Sequence, residues 1–221
     1  MIKAELLSPS GIKVYQDDEG YCFTSDALLL SRFATVKKGD NIADFCSGSG
    51  VIAFNIYDQY KDLIKSATLF EMQQPLYDLS LLSIKENGLE EKFTAINVKV
   101  QDIDACFNER FSLITCNPPY MKADGGENKF NPQIAICRAE LYLELEELIK
   151  AVSKCLKFGG RFAMVHRAER LTDTFALMRK FNIEPKRLQL VQAKGKAPYL
   201  FMVEGVKGGK SGLKVLPNLD N

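Results

Sequence analysis

The tetrapeptide Asn117-Pro118-Pro119-Tyr120 contains the groups needed to orient a planar amino group for reaction. Its two prolines end the preceding strand and restrict the backbone, because proline has a fixed φ and no amide hydrogen. The side-chain oxygen of Asn117 can accept one hydrogen of an NH2 group, and the carbonyl of Pro118 can accept the other. The nitrogen lone pair then becomes available to attack a methyl group, while Tyr120 can stack on a planar base or amide. The alternative interpretation is a turn that only ends a strand.

A second group of residues lies upstream, where a predicted strand runs into a turn with two glycines, from Asp44 to Gly50 (DFCSGSG). Glycines at this position allow a tight bend and the close approach of a ligand to the main chain. Glu71 follows Gly50 by 21 residues and ends the next predicted strand. An acid at that strand end can accept hydrogen bonds from both hydroxyls of a ribose. These residues predict a site for a ribose-containing cofactor, although a tight turn without a ligand has the same pattern.

Asp44 distinguishes between two such cofactors. The pattern Gly48-x-Gly50-x-x-Ala53 also fits NAD loosely, so NAD remains an alternative. The carboxylate of Asp44 would repel a pyrophosphate, whereas it would attract a cofactor that has a cationic α-amino group and no pyrophosphate. S-adenosylmethionine is such a cofactor, and its departing sulfonium drives methyl transfer without a base of tuned pKa. The residues therefore favour S-adenosylmethionine.

Strand-like and helix-like segments alternate along the chain, which indicates an α/β fold with a parallel sheet and helices on both faces. Asp44, Glu71 and Asn117 all lie at or after strand ends, so they are expected at the carboxyl edge of that sheet. The predicted parallel strands cover residues 41–46, 67–72, 93–100, 111–116 and 161–166. The predicted helices between and after them cover residues 51–57, 74–87, 141–156 and 169–181.

The C-terminal part differs, because segments 187–192 and 199–206 are separated by too few residues for a crossover helix. Strands joined this closely are antiparallel, so the sheet is expected to end in an antiparallel hairpin. Near the N-terminus, segments 12–16 and 21–24 predict a second hairpin, which is followed by a helix through Phe33. The expected division is a hairpin and helix packed on the core (residues 1–34), the main α/β domain with the candidate site (residues 35–206) and a tail (residues 207–221).

The composition is that of a soluble globular protein, with 46% hydrophobic and 26% charged residues. No apolar run approaches the roughly 18 residues of a membrane helix, and the first residues lack the apolar stretch of a signal peptide. Six cysteines without a CxxC pair and a single histidine exclude the common structural zinc patterns. We therefore expect a cytoplasmic protein with free thiols and without a metal or a membrane partner.

The charges are divided unevenly along the chain, although the net charge is only +1. Residues 1–150 carry 15 Lys and Arg against 23 Asp and Glu, a net charge of −8. Residues 151–221 carry 14 Lys and Arg against 5 Asp and Glu, a net charge of +9. Such an asymmetry favours a surface that binds a polyanion, although a solvated, lysine-rich surface is an alternative.

The motifs resemble those of the Rossmann-like class I S-adenosylmethionine methyltransferases that modify adenine N6 or glutamine N5. Asp44–Gly50 is similar to their first motif, Glu71 to their ribose-binding acid, and Asn117–Tyr120 to their catalytic motif. Their first motif is usually DxGxGxG, and here Cys46 stands in place of its first glycine. The resemblance implies a seven-stranded, mostly parallel sheet that ends in an antiparallel hairpin, and S-adenosylmethionine as the cofactor.

Other segments resemble the bacterial tRNA1(Val) (adenine-N6)-methyltransferase family, which modifies the adenine beside the anticodon. The resemblance implies a tRNA substrate, and we expect the enzyme to be a monomer. An enzyme of the same class that acts on protein glutamine, ribosomal RNA or DNA is an alternative, as are an NAD-dependent enzyme and a catalytically inactive RNA-binding module. The resembling segments are Gly11–Gln16, Phe23–Leu30, Ala135–Glu140, Val165–Arg167 and Glu169–Leu171.

Three sets of site residues are expected from the motifs, the charge asymmetry and the resemblance. The residues expected to act in catalysis are Asn117, Pro118 and Tyr120. Those expected to bind the cofactor are Asp44, Phe45, Cys46, Ser47, Gly48, Gly50, Glu71, Met72, Asp102 and Asn117. Those expected to contact RNA are Arg138, His166, Arg167, Arg170, Lys194 and Lys196, with a hydrogen-bonded residue at a strand end as the alternative for His166. Segment 121–133 is either a mobile lid or an ordinary exposed loop.

Overall fold

The computed structural model describes residues 1–7, 11–18, 23–119 and 143–221. Three sequence-based predictions fall outside these residues: base stacking by Tyr120, RNA binding by Arg138, and the interpretation of segment 121–133 as a lid or a loop. Among the helices of the described residues, none has the length and apolar character needed to cross a membrane.

The chain begins with an antiparallel hairpin of β1 (Ile2–Leu6) and β2 (Lys13–Asp17). An N-terminal hairpin is therefore present, in which β2 pairs with β1. The predicted partner of residues 12–16 is segment 21–24, of which residues 21 and 22 lie outside the described residues. Thr24 is the N-cap of the helix that follows, α1 (Ser25–Phe33).

Five parallel strands form the main part of the central sheet, with their carboxyl ends at one edge. The strand that comes first in the sequence lies in the middle. The second and third strands follow it on one side, and the fourth and fifth follow it on the other, so the winding direction changes beside the central strand. Ligands of doubly wound sheets bind outside the carboxyl ends at this change of direction. The strands are β3 (Asp40–Phe45), β4 (Ile64–Glu71), β5 (Phe93–Asn97), β6 (Phe111–Cys116) and β7 (Leu156–Arg167).

In the described ranges, four further helices cover the two faces of the sheet, as the alternating pattern predicts. Together with α1, the first two pack on one face, and the last two pack on the other. The third has apolar residues at helical spacing, and Leu148, Ile149 and Val152 are fully buried against the sheet. The helices are α2 (Val51–Tyr60), α3 (Gln74–Glu86), α4 (Leu145–Cys155) and α5 (Leu171–Lys180).

The sheet ends in the antiparallel hairpin of β8 (Ile183–Gln192) and β9 (Pro198–Lys207), which confirms the predicted topology. β9 lies between β7 and β8 and runs antiparallel to both. The segment expected as a tail adds two short strands, β10 (Lys214–Val215) and β11 (Leu219–Asp220), parallel to the outer edge of β8.

One strand is longer than its predicted length. β7 begins at Leu156 rather than at Arg161, and Leu156 pairs with Phe111 on β6. The two glycines in between, Gly159 and Gly160, are expected from the sequence to separate a helix from the strand. They lie within the strand instead, where the left-handed φ of +74° at Gly159 accompanies a shift in pairing register between Phe111 and Leu113.

The backbone of the N-terminal hairpin is hydrogen-bonded to side chains in the last turn and at the C-cap of α3. The amide of Lys13 donates to Oδ1 of Asn87 at 3.0 Å, and Nδ2 of Asn87 donates to the carbonyl of Lys13 at 2.7 Å. The amide of Tyr15 donates to Oγ of Ser83 at 3.0 Å. These bonds attach the first residues of the chain to the main domain.

Candidate active site

A cavity lies at the carboxyl edge of the sheet, among the ends of β3, β4 and β6 and the start of α1. It brings together the glycine turn, the acid at the end of β4 and the asparagine of the Asn-Pro-Pro motif. The predicted residues in its lining are Cys46, Ser47, Gly48, Glu71, Met72 and Asn117. The lining also includes residues that the sequence-based reasoning did not assign, among them Phe23, Gln73, Gln101 and Leu143. The sequence did contain a signal for Phe23, because it lies in the segment Phe23–Leu30 that resembles the tRNA (adenine-N6)-methyltransferase family.

The turn between β3 and α2 requires a left-handed backbone at Cys46, Gly48 and Gly50, whose φ angles are +55°, +57° and +89°. A Cβ atom at Gly50 would lie 2.7 Å from Cε2 of Phe54 and 2.9 Å from Cδ1 of Leu69, so a side chain does not fit there. Cys46 adopts the left-handed conformation with a side chain, which costs about 1–2 kcal/mol. The cysteine that replaces the usual glycine is thus accommodated with backbone strain.

Glu71 connects this turn to the cavity. Its Oε2 accepts a hydrogen bond of 2.8 Å from the amide of Gly48, and its Oε1 accepts one of 2.8 Å from the amide of Gln73. The side chain is buried, and burial raises the pKa of its carboxyl group. Each carboxylate oxygen has a second lone pair, so Glu71 can also accept hydrogen bonds from two vicinal hydroxyls.

Asp44 lies beneath the turn and is fully buried, and it is not among the described residues that line the cavity. Oγ1 of Thr115, on β6, donates a hydrogen bond of 2.7 Å to Oδ1 of Asp44. Burial raises the pKa of Asp44 to about 7, although the bond from Thr115 lowers it. Phe45, the next predicted cofactor residue, is also fully buried and packs its ring against Phe70. The positions of Asp44 and Phe45 thus favour indirect roles at the cofactor site.

Asn117 directly follows β6 and lines the cavity. Its Oδ1 atom is buried and has no hydrogen-bond partner within the part of the chain that the structure describes. Leaving a buried acceptor unpaired typically costs about 1–3 kcal/mol, so such an atom marks a place where a ligand can donate a hydrogen bond. Pro118 is buried beside it, and Pro119 lines the cavity.

Asp102 lies outside the cavity. It ends the 3-10 turn Val100–Asp102 with its side chain exposed, whereas Val100 and Gln101 of the same turn line the cavity. Nε2 of Gln101 donates a hydrogen bond of 3.1 Å to Oε2 of Glu147 on α4. Val100 and Gln101, rather than Asp102, are therefore placed to contact a ligand at this end of the cavity.

Four of the predicted RNA-binding residues lie at the same edge of the sheet as Asn117. Because β9 runs antiparallel to β7, the turn between β8 and β9 follows the carboxyl end of β7 in space. Lys194 and Lys196 in this turn are exposed, as is Arg167 at the end of β7. Arg170 is half-buried, and its Nε atom lies 3.3 Å from Oδ2 of Asp173. We call this set the basic rim: Arg167, Arg170, Lys194 and Lys196.

His166 does not belong to the basic rim, because its side chain is buried. Its Nδ1 accepts a hydrogen bond of 2.8 Å from the amide of Arg167, and its ring lies parallel to that of Phe201 with the centroids 6.3 Å apart. Burial, with a smaller effect from the nearby arginines, lowers the pKa of His166 to about 3. The imidazole is therefore neutral near pH 7, and its placement supports the alternative of a hydrogen-bonded residue at a strand end.

The basic excess of the C-terminal half does not form one continuous face. Two of its arginines are paired within the fold: Arg161 lies 2.6 Å from Asp40, and Arg187 lies 3.2 Å from Glu204. Lys180 ends α5 at the opposite edge of the sheet and is 2.7 Å from a carboxylate oxygen of Glu146. Only part of the charge asymmetry thus contributes to the surface around the cavity.

A metal site is not evident in the described ranges. No group of three or more His, Cys, Asp or Glu side chains in these ranges is arranged to hold a metal ion.

The fold and the site define a class I methyltransferase. The sheet order, the glycine turn after β3, the acid after β4 and the antiparallel hairpin at the end all agree with this class. A predicted O-methyltransferase from Agrobacterium tumefaciens has the same fold, with a TM-score of 0.69 and 17% identity over 88% of this chain and 86% of that one. P. horikoshii TYW2, solved in complex with MeSAdo, has a TM-score of 0.65 and 14% identity over 94% of this chain and 72% of that one.

The chain belongs to the methyltransferase small domain family, whose model matches residues 23–189. It is 22% identical over 182 residues to a protein of Shewanella woodyi named tRNA1(Val) (adenine(37)-N6)-methyltransferase, an alignment that covers 81% of this chain and 74% of that protein. The chain is thus an S-adenosylmethionine-dependent methyltransferase, and this predicted activity class is confirmed.

Proposed function

We propose that this methyltransferase modifies N6 of an adenine in tRNA, at the position beside the anticodon. The observation that carries the proposal is the buried Oδ1 of Asn117 in the cavity wall, which has no hydrogen-bond partner among the described residues. The exocyclic amine of adenine is a planar NH2 group, so it can donate one hydrogen to this oxygen and the other to the carbonyl of Pro118. Held at both hydrogens, the nitrogen presents its lone pair to an incoming methyl group.

The residues of the cavity fit S-adenosylmethionine as the cofactor. Gly48 leaves open space where a Cβ atom would lie, so a ligand can approach the main chain of the turn. Glu71 offers two carboxylate oxygens to the ribose hydroxyls, and the buried carboxyl groups of Glu71 and Asp44 favour a cationic ligand. When bound, the cofactor supplies a methyl group on a positively charged sulfur, which is reactive without a general base.

An adenine in a tRNA loop must leave its stack to reach Asn117. The resemblance of the motif assigns Tyr120 to stacking on the extruded base, and we include that role in the proposal. The cost of unstacking is a few kcal/mol, which contacts to the base in the cavity must offset. Leu143 and Phe23 provide apolar surface in the cavity lining for such contacts.

Two observations support tRNA as the polyanionic substrate that the charge asymmetry of the sequence favours. The Shewanella woodyi relative carries a tRNA adenine in its name, and the basic rim lies at the edge of the sheet that holds Asn117. RNA binding gains much of its affinity from neutralising phosphates, which exposed lysines and arginines achieve. We include Arg138 among the contacts on the basis of the resemblance. A tRNA substrate would place the reaction in the cytoplasm.

The test is methylation with S-adenosylmethionine that carries a labelled methyl group, with tRNA, ribosomal RNA, DNA and protein supplied separately. We expect labelled N6-methyladenosine in tRNA by nucleoside mass spectrometry, and fragment analysis should place it beside the anticodon. The variant Asn117→Ala should give almost no label, while the exposed Asn108→Ala serves as the matched control. Label in protein alone would refute the proposal and indicate glutamine, and label in DNA or ribosomal RNA alone would refute the tRNA assignment.

A further inference from the structure

A hydrogen bond beneath the cavity connects the two strands that carry the site. Thr115 and Asp44 are paired residues on the neighbouring strands β6 and β3, and both are fully buried. Oγ1 of Thr115 donates to Oδ1 of Asp44 at 2.7 Å. Thr115 lies two residues before Asn117, and Asp44 lies two residues before Cys46. The bond therefore couples the segment that orients the amine to the turn that approaches the cofactor.

The other groups around Asp44 leave its charge poorly stabilised. Glu71, on β4, raises the pKa of Asp44 by charge repulsion, and burial raises it more strongly. From α2, the amide of Ala53 lowers the pKa, but Oδ2 has no partner within hydrogen-bond distance in the described part of the chain. Cys116 stays a neutral thiol, because burial and the neighbouring thiol of Cys46 raise its pKa well above the ordinary value.

We infer that Thr115 is a positioning residue that holds Asp44 as a chargeable group beneath the glycine turn, and that Asp44 releases its proton to solvent when S-adenosylmethionine binds. The inference rests on the proposed cofactor site and assigns no chemical step to Thr115. The protonated carboxyl group becomes a carboxylate, one proton passes to the buffer, and the positive charge on the cofactor sulfur balances the new negative charge.

The chemistry of the two cofactor forms gives this inference a specific consequence. Near pH 7 Asp44 is close to half protonated, since its pKa is about 7. A sulfonium cation in the cavity favours the ionised carboxylate, because an opposite charge nearby stabilises it. S-adenosylhomocysteine, the thioether product, has the same α-amino acid and adenosine groups but no sulfonium. The substrate form should therefore release more protons on binding than the product form, and its relative affinity should rise as the pH rises.

The experiment counts protons by titration calorimetry of the full chain at pH 7, in two buffers with different ionisation enthalpies. Binding of S-adenosylmethionine should release up to about half a proton more than binding of S-adenosylhomocysteine, as expected for a group with a pKa near the experimental pH. The comparison cancels the titration of the α-amino group, which both ligands carry. Asp44→Asn cannot ionise at this position and should abolish the difference.

Thr115→Val removes the hydroxyl while keeping a similar volume. A hydrogen bond to an ionised group changes the ionisation equilibrium roughly tenfold or more. Without it the pKa of Asp44 should rise, so the pH at which the extra proton release is greatest should rise by about one unit. The affinity for S-adenosylmethionine at pH 7 should fall up to about tenfold, with less change for S-adenosylhomocysteine. Thr115→Ser retains the donor and should restore the wild-type profile, which a role in packing alone would not require.

The outcomes separate the inference from the proposed function. Equal proton release by the two ligands in the wild type, or an unchanged difference in Asp44→Asn, would overturn the inference while leaving the cofactor assignment intact. An unshifted profile in Thr115→Val would overturn the role of the threonine. Failure of the wild type to bind either ligand would overturn the inference and the proposed function together. If thermal unfolding shows that Thr115→Val does not fold, Thr115→Ala replaces it, and the comparison of wild type with Asp44→Asn still decides the role of the charge.

Discussion

The amide of Gly48 donates a 2.8 Å hydrogen bond to Oε2 of Glu71, so the turn after β3 is fixed directly to the acid at the end of β4. Both residues line the cavity. Glu71 therefore fixes the turn and contributes to the cavity wall with the same side chain. Its other oxygen is occupied in the same way by the amide of Gln73.

The double role of Glu71 predicts a large effect of Glu71→Gln on cofactor binding. In the glutamine variant an NH2 group must replace one acceptor and face a backbone amide that also donates. We expect roughly tenfold to hundredfold weaker binding of S-adenosylhomocysteine, the usual effect of losing a hydrogen bond to a charged group. Titration calorimetry measures the affinity, and Glu86→Gln, an exposed residue at the end of α3, is the matched control. Equal affinities of the two variants would argue against Glu71 as a cofactor contact.

Within the described ranges Oδ1 of Asn117 has no hydrogen-bond partner, and this predicts a catalytic rather than a binding defect in Asn117→Ala. Loss of one preorganised polar contact commonly lowers kcat by about a hundredfold or more. Affinity for S-adenosylhomocysteine should remain close to that of the wild type, because the proposed function assigns the amide oxygen to the substrate amine rather than to the cofactor. Single-turnover methylation of tRNA separates the two effects. A turnover rate equal to that of the wild type would remove Asn117 from the mechanism.

The left-handed backbone at Cys46 predicts that Cys46→Gly stabilises the protein. Glycine adopts a φ of +55° without the steric penalty that a Cβ atom brings, so the free energy of unfolding should increase by about 1 kcal/mol. Urea denaturation under reducing conditions measures the change. Cys106→Gly is the control, since Cys106 is exposed and is not among the residues with positive φ. A loss of stability in Cys46→Gly would show that contacts of the thiol outweigh the backbone strain.

The basic rim predicts a salt-dependent contribution of its lysines to tRNA binding. Replacing both Lys194 and Lys196 with glutamine should weaken tRNA binding and reduce the slope of log affinity against log salt by about one unit for each phosphate that is no longer neutralised. Filter binding over a range of salt concentrations gives both quantities. The control replaces Lys154 and Lys157, which are exposed near the opposite edge of the sheet, and should leave the slope unchanged.

The buried carboxyl group of Asp44 predicts how stability changes with pH in the absence of the cofactor. Its pKa in the folded protein is about 7, against 3.8 for an unperturbed aspartate, so the folded state binds more protons between these values. The contribution of Asp44 to the free energy of unfolding therefore falls as the pH rises from about 4 to 7, by up to about 4 kcal/mol.

The measurement is urea denaturation at a series of pH values. Asp44→Asn should show a flatter pH dependence than the wild type over this interval, because asparagine does not titrate. Asp62→Asn, at an exposed position, is the control and should reproduce the wild-type slope. Parallel curves for Asp44→Asn and the wild type would mean that Asp44 is already ionised in the folded protein.

The arrangement of the main strands could be predicted because each carries a local signal. β6, for example, is a short apolar run that Asn117 and Pro118 end, and its observed bounds are the predicted ones. The partner of β2 could not be predicted in this way. All five residues of β1 are exposed, and a hydrophobic pattern specifies strand pairing only where one face is covered.

The site shows the same division between local and long-range information. Glu71 and Asn117 could be placed together because each ends a parallel strand. Gln101 lines the cavity where the sequence predicted Asp102, because both lie in a 3-10 turn whose orientation is set by packing. The burial of His166 arises from the position of β7 between β6 and β9, and the withdrawal of Arg161 from the surface arises from Asp40. Those partners are distant in the sequence.

β10 and β11 lie along a strand whose outer backbone groups would otherwise be available to another molecule. Their pairing with β8 is extended by hydrogen bonds from the amide of Leu216 to the carbonyl of Leu188 at 2.8 Å and from the amide of Asn221 to that of Gln192 at 2.9 Å. Open strand edges are templates for aggregation between copies of a protein. The chain thus shields this edge of its sheet from intermolecular association, and removing these short segments should make concentrated solutions of the enzyme prone to precipitate.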